Sequence, residues 1–272
     1  MTRLYKVLVL SAALLLTGCQ AVNTTSSSAV GVERKQYMFS MLSTQQVNQS
    51  YAQHYQETLQ KAQSKGQLDT RSANAKRLQT IGKRLIAQVG HFRPDAQQWD
   101  WQVNLIDSPE LNANCGPGGK IIFYSGIITK LKLTDDEIAA VMGHEIAHAL
   151  REHGREQMSK AYGIELAKTG LGAVLGLGQD SMAIADMAVQ YGMTLPNSRG
   201  AETEADLIGI ELAARAGYNP NGAVSLWRKM EQASEGSSME FMSTHPASGT
   251  RIANLEQAIP KVMPLYKQAS KR

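Results

Sequence analysis

The sequence predicts an α+β chain that is mainly α-helical. Three observations lead there. Apolar residues recur at helical spacing through most of the 272 residues. Only two short stretches, Trp99–Ile106 and Ile121–Tyr124, read as strands. Turn signals such as Gly116–Gly119 and Asn219-Pro220 separate these segments without an internal repeat, which favours one domain.

The N-terminus reads as a signal peptide over residues 1–18. Arg3 and Lys6 form its basic start, and the apolar run Val7–Leu16 is too short to span a bilayer. It ends in Leu16-Thr17-Gly18-Cys19, which resembles a bacterial lipobox. Cys19 is then the lipidated first residue of the mature chain, because several acyl chains anchor more firmly than one. Gln20 lacks an acidic retention signal, so the expected place is the periplasmic face of the outer membrane. Residues 19–40 are expected to form the lipidated N-terminus and a flexible tether, with the Ser- and Thr-rich stretch 20–35 as its core. Residues 41–272 form the folded domain.

Loss of Arg3 and Lys6 with the signal takes the formal net charge from +4 to +2. That balance argues against nucleic acid as a partner. Of the two cysteines, only Cys115 keeps a free thiol, so no internal disulfide forms. It is expected as a small buried residue, with a redox-sensitive spot or a subunit bridge as alternatives.

Along the domain, 42–65 and 70–90 are expected to be helical, the second with Leu78, Ile81, Leu85, Ile86 and Val89 on one face. Thr134-Asp135-Asp136-Glu137 has capping-box spacing. Behind it Ile138, Val141, Met142, Ile146, Ala149 and Leu150 predict a helix to about Ser159. That helix carries His144-Glu145-Ile146-Ala147-His148. Residues four apart share a helix face, so two imidazoles can bind one metal ion with the carboxylate of Glu145 beside it. His153, five residues after His148, points away from that face and is expected partly exposed.

A catalytic zinc takes three protein ligands. The continuation Ala149-Leu150-Arg151-Glu152-His153-Gly154 does not supply the third. Ser198–Asp206 starts a helix capped by Asn197 or Ser198. On it, Glu202 and Asp206 share a face, while Glu204 is expected to point outward. Glu202 is the candidate ligand, and Asp206 the carboxylate that orients a ligating His.

Residues 163–178, rich in Gly, are expected as a packed helical hairpin or a flap. Met182, Met187 and Met193 are expected in the core. A helix follows Asn219-Pro220 to about Gln232, Ser234–Ser238 is a loop, and the last helix follows Pro246.

Three motifs in this order resemble the zinc metallopeptidases that include the HtpX heat-shock protease, the CAAX prenyl protease and periplasmic relatives. They are His144-Glu145-x-x-His148, Ser198-Arg199-x-x-Glu202-x-Glu204-Ala205-Asp206, and Thr244-His245-Pro246 followed by Arg251-Ile252. The resemblance spans roughly residues 70–260. One departure is Asn112-Ala113-Asn114-Cys115-Gly116-Pro117-Gly118-Gly119, which lacks the family's aromatic and has an extra Gly before the Pro. This bears on local pocket shape.

The resemblance implies a zincin-like fold with a small sheet beside the active-site helix. It implies one Zn2+ per chain on His144, His148 and Glu202, with Glu145 as general base and Asp206 in support. His245 or Arg251 is expected to stabilise an oxyanion, and His245 is alternatively a gate that closes the metal. The family's edge strand beside the cleft would correspond to residues 120–125, so Ile121, Ile122, Phe123 and Tyr124 are expected to dock the substrate backbone. The implied partners are protein or peptide substrates, the membrane through the lipid anchor, and outer-membrane assembly machinery. The implied role is clipping of misfolded or misassembled envelope proteins. A chaperone-like binding module without proteolysis is the alternative, against which the intact Glu145 argues. A prenyl-protein protease is disfavoured for want of transmembrane helices.

Overall fold

The computed structural model describes residues 19–26, 28–40, 43–169, 196–234, 240–246 and 249–271. Its first strands, β1 (Cys19–Val22) and β2 (Gln36–Phe39), pair antiparallel. In β2, Gln36 and Met38 are buried while Tyr37 is 56% exposed. Between the strands, Val30 and Val32 join the main core. The Val30 N–H donates to Glu211 Oε2 at 3.2 Å. The expectation of a flexible tether over 20–35 is therefore corrected: the described residues there are docked. The linker-like composition hid a few apolar side chains at core positions and polar groups with distant partners.

Helix α1 (Thr44–Ser64) starts at a capping box between Ser43 and Gln46. Its Tyr51 and Tyr55 pack with Ile106 and Ile122 in a small second core. After β3 (Leu68–Asp69), helix α2 (Ala73–Ile86) is capped by Ser72 and buries Ala75, Leu78, Ile81 and Leu85. Strands β4 (Gln102–Ile106), β5 (Ala113–Gly116) and β6 (Lys120–Tyr124) complete a sheet in the order β3-β4-β6-β5. The pair β4–β6 is parallel and the others are antiparallel.

This order corrects the expectation for residues 120–125. Strand β6 is paired on both sides, and Ile121, Ile122 and Phe123 are buried. It offers no free main chain. Among the described residues the unpaired edge beside the cleft is β5, which the Gly-Pro turn signals concealed. A short helix α3 (Ser125–Lys130) follows β6.

Helix α4 (Asp135–Leu150) carries the HExxH residues, and its Thr134–Glu137 capping box is present. Every residue from Glu137 to Leu150 is buried. It packs against β5, α2, α6 (Arg199–Arg215) and α7 (Asn221–Ser234). It stops before Ser159: Glu152 adopts φ 50, and a new helix α5 (His153–Thr169) begins. A left-handed residue cannot continue a right-handed helix. Glu152 is held there by Arg93 at 2.7 Å and Arg155 at 2.9 Å. Helices α8 (Glu240–Thr244) and α9 (Arg251–Ala269) close the domain.

Helices α4 and α6 meet backbone to backbone. A Cβ on Gly143 would lie 2.7 Å from Gly209 O, and one on Gly209 would lie 2.8 Å from His144 N. Two glycines thus let the helices carrying His144 and Glu202 cross at contact distance. Most of the Gly-rich stretch 163–178, together with Met182, Met187 and Met193, and most of the loop 234–238, lie outside the described residues. No helix among the described residues is long and apolar enough to cross a membrane.

Candidate metal centre and cleft

Two helices and one short helix build the site. From α4, His144 and His148 turn their Nε2 atoms toward one point, 3.0 Å apart. From α6, Glu202 brings Oε2 to 3.5 Å from His144 Nε2 and Oε1 to 3.3 Å from His148 Nε2. Just beyond α8, His245 completes a set of four buried donors whose ligand atoms all lie within 4.8 Å of one another. Among the described residues, both Glu202 oxygens are buried without a hydrogen-bond partner, although Arg251 Nη1 stands 2.7 Å from Oε2. A cation explains buried oxygens left in that state. Two imidazole nitrogens and a carboxylate, with one further position, suit zinc in chemistry and number.

The surroundings orient these donors. Asp206 Oδ1 lies 3.0 Å from His144 Nδ1, which leaves Nε2 for a metal. Asp206 in turn accepts from Arg251 Nε at 2.7 Å and Nη2 at 2.6 Å. Arg251 also stacks over the Trp227 ring at 3.5 Å. The guanidinium is thus committed to Asp206 and Glu202. This corrects Arg251 as an oxyanion donor: its charge offsets two buried carboxylates instead.

Electrostatics follow from burial. Burial pushes the Glu145 carboxyl up to about 8, against the pull of the His144 ring. Burial would lower His144, but the carboxylates of Asp206 and Glu202 carry it up to about 9. Burial lowers His148 well below its usual range and His245 to about 4. Glu202, beside both imidazoles, is held far below the usual carboxylate range despite its burial. All of this describes the site before a dication adds its charge.

Glu145 faces a cleft of about 330 Å³, in the usual range for a ligand site. Its walls include Tyr51, Asn114, Cys115, His148 and His245. The Glu145 carboxylate accepts from the Cys115 backbone, so the free edge of β5 runs alongside it. Cys115 itself is buried, and burial pushes its thiol up. The departure at Gly116 has a physical use. A Cβ there would lie 1.9 Å from the Tyr51 ring, so the glycine lets α1 bring an aromatic against the strand.

His245 is fixed by its own turn. Its ring stacks on Phe241 with centroids 4.4 Å apart, and its Nε2 lies 3.3 Å from Glu145 Oε1.

Two expectations fail here. His153 is not partly exposed: it is buried, with Nδ1 at 2.8 Å from His148 Nδ1. The helix break at Glu152 changes its direction, which a continuous 100° rotation could not anticipate. Glu204 does not point outward: it is buried, and its carboxylate meets His153 at 3.1 Å and Arg151 at 2.9 Å. Its partners come from residues far away in sequence. Trp227 and Phe241 beside His144 also went unread, for want of any spacing that links them to the motif.

The fold and the donor set define a metallopeptidase domain of the HExxH class. The chain belongs to Peptidase family M48, whose model matches residues 72–259. The mitochondrial metalloendopeptidase OMA1 of Saccharomyces cerevisiae is 36% identical over 177 residues, which is 62% of this chain and 50% of that protein. The metalloprotease LoiP of Escherichia coli is 29% identical over 253 residues, 90% of this chain and 92% of that one. The beta-barrel assembly-enhancing protease of Escherichia coli is 25% identical over 206 residues, 71% of this chain and 40% of that one. The chain spans about half the length of its yeast relatives.

Proposed function

We propose that the chain is a zinc metalloendopeptidase of the bacterial envelope, lipid-anchored through Cys19 on the periplasmic face of the outer membrane. The observation that carries the activity is Glu145. It is a buried carboxylate with Oε1 unpartnered, on the wall of a cleft and one residue from a metal-ligand set. The names and bacterial source of the LoiP and beta-barrel assembly relatives support an envelope role, with misassembled envelope proteins as substrates. The lipobox-like Leu16–Cys19 supports the anchor.

His144, His148 and Glu202 would hold the zinc. When bound, zinc acidifies water and polarises a peptide carbonyl. Glu145 accepts the proton as water attacks, then delivers it to the leaving nitrogen, which separates as an amine. The outward carbonyls of β5 at Ala113 and Cys115 align an extended peptide beside Glu145 by strand addition, since the two outward N–H groups are held by Asn112 and Glu145. Asp206 and Arg251 hold His144 in one orientation.

A second reading concerns regulation. His245 sits in the donor set and beside Glu145. From there it would offer the zinc a fourth ligand and so hold the enzyme latent. A His245→Ala variant with higher activity supports latency; lower activity supports a catalytic role, and no change removes both.

The deciding experiment compares casein cleavage and zinc content of residues 20–272 with those of its Glu145→Gln variant. Cleavage by the parent alone, with zinc in both, is expected. Zinc in both with cleavage by neither favours latency or a chaperone-like binding module. For the anchor, Cys19→Ser is expected to move the protein from the membrane pellet to the soluble fraction.

A further inference from the structure

We propose that His153 and Arg34 are positioning residues for the metal ligand His148, forming a relay that ties the N-terminal segment to the zinc site. The inference rests on zinc binding at His144, His148 and Glu202.

A ligating His is oriented by the hydrogen bond of its other ring nitrogen. For His144 that partner is Asp206. For His148 it is another imidazole. His148 presents Nε2 to Glu202, and its Nδ1 lies 2.8 Å from His153 Nδ1. Only one proton fits between two ring nitrogens. A His that ligates through Nε2 keeps its proton on Nδ1, so His148 donates and His153 accepts. His153 then carries its proton on Nε2 and donates it to Glu204 Oε2 at 3.1 Å. The chain of donors sets both tautomers.

Glu204 is fixed from outside. Arg151 Nε donates to its Oε2 at 2.9 Å, and the Arg34 guanidinium pairs with the same carboxylate. Arg34 also forks onto Glu156 at 2.6 and 2.8 Å. The Arg34 carbonyl accepts from Arg151 Nη2 at 2.8 Å. Arg34, Arg151 and the half-exposed Lys160 together face Glu204 and Glu156, so neither buried carboxylate is left uncompensated. Arg34 comes from the docked segment before β2, and its side chain is 35% exposed. Three contacts therefore separate a residue of the N-terminal segment from a metal ligand.

The test measures zinc affinity by chelator competition and the imidazole N–H resonances of the zinc-loaded protein. The variants are His153→Phe, His153→Asn and Arg34→Met. Loss of an outer hydrogen-bond partner typically weakens metal binding by about 10–100-fold. His153→Phe is expected to do so and to shift the His148 Nδ1–H resonance while that of His144 stays. His153→Asn, whose Oδ1 falls near the lost Nδ1, is expected to recover part of the affinity. Arg34→Met is expected to weaken binding by less than His153→Phe does and to shift the same His148 resonance. Parent-like zinc affinity with an unmoved His148 signal in His153→Phe overturns the proposal. If that variant does not fold, Arg34→Met decides on the same two readouts. A parent that binds no zinc overturns the metal-site reading itself and this inference with it.

Discussion

Gly143 and Gly209 face each other where α4 crosses α6, so closely that a Cβ on either would meet the backbone of the other helix. Each neighbours site residues on its own helix: Gly143 precedes His144, and Gly209 lies one turn after Asp206. The crossing distance therefore sets the reach of Glu202 and Asp206 to the imidazoles. Gly209→Ala is expected to push the helices apart, costing about 1–3 kcal/mol by overpacking. Thermal unfolding and zinc stoichiometry check it, and both should fall together.

Glu145→Gln keeps the size of the side chain but cannot take a proton. Activity is expected to fall on the order of 10²–10⁴-fold with zinc retained. The acid limb of the parent's kcat/KM should follow the same carboxyl. Burial raises it to about 8 without metal, and a bound dication lowers it from there. Below that pKa the base is protonated, so activity rises with pH. A kcat/KM profile flat from pH 5 to 9 would exclude Glu145 as the ionising base.

Arg251→Met removes the cation between Asp206 and Glu202. Two buried carboxylates are left with only the His144 ring to offset them, which costs up to about 3–5 kcal/mol. Zinc should restore part of that loss, since it supplies positive charge at Glu202. Melting curves with and without zinc make the comparison. A variant as stable as the parent without metal would contradict it.

Ala113→Pro removes the outward N–H of β5 that donates to Asn112 Oδ1 at 2.9 Å, and stiffens the edge without touching its ladder to β6. KM is expected to rise several-fold while zinc content stays at the parent level. Proline at the same position with unchanged KM would move substrate docking elsewhere.

Glu204 has a carboxyl held down to about 2, where burial is outweighed by His153 and Arg34. A carboxylate with a lowered folded pKa adds stability above its unfolded value, and that stability is lost as pH falls through the folded value. The window is thus from about 4.5 down to about 2. Glu204→Gln should flatten the acid dependence of unfolding there, by on the order of 3 kcal/mol at most. Glu156 shares Arg34, so the two effects should not add.

The metal donors were legible because they obey local rules. His144 and His148 share a face by helix geometry alone, and Glu202 and Asp206 do so on a second helix. A capping box marked α4, apolar periodicity marked α2 and α4, and an N-cap residue marked α6. Family resemblance joined the two helices and added His245. What local rules cannot carry is pairing between distant segments. Strand β5 has a Gly and an Asn among its four residues, so nothing in its composition showed which strand would be left at the edge.

The sequence by itself thus determined the helices, the residue types of the site and their spacing, since i to i+4 geometry needs no partner. Tertiary structure alone decided the rest. It paired β6 on both sides and left β5 as the free edge. It ended α4 at Leu150 and turned His153 onto His148. It drew Arg34 and Glu204 together across 170 residues. These are choices of register, direction and charge compensation in a buried interior. They follow from removing polar groups from water, which leaves each one to find a partner wherever the chain brings it.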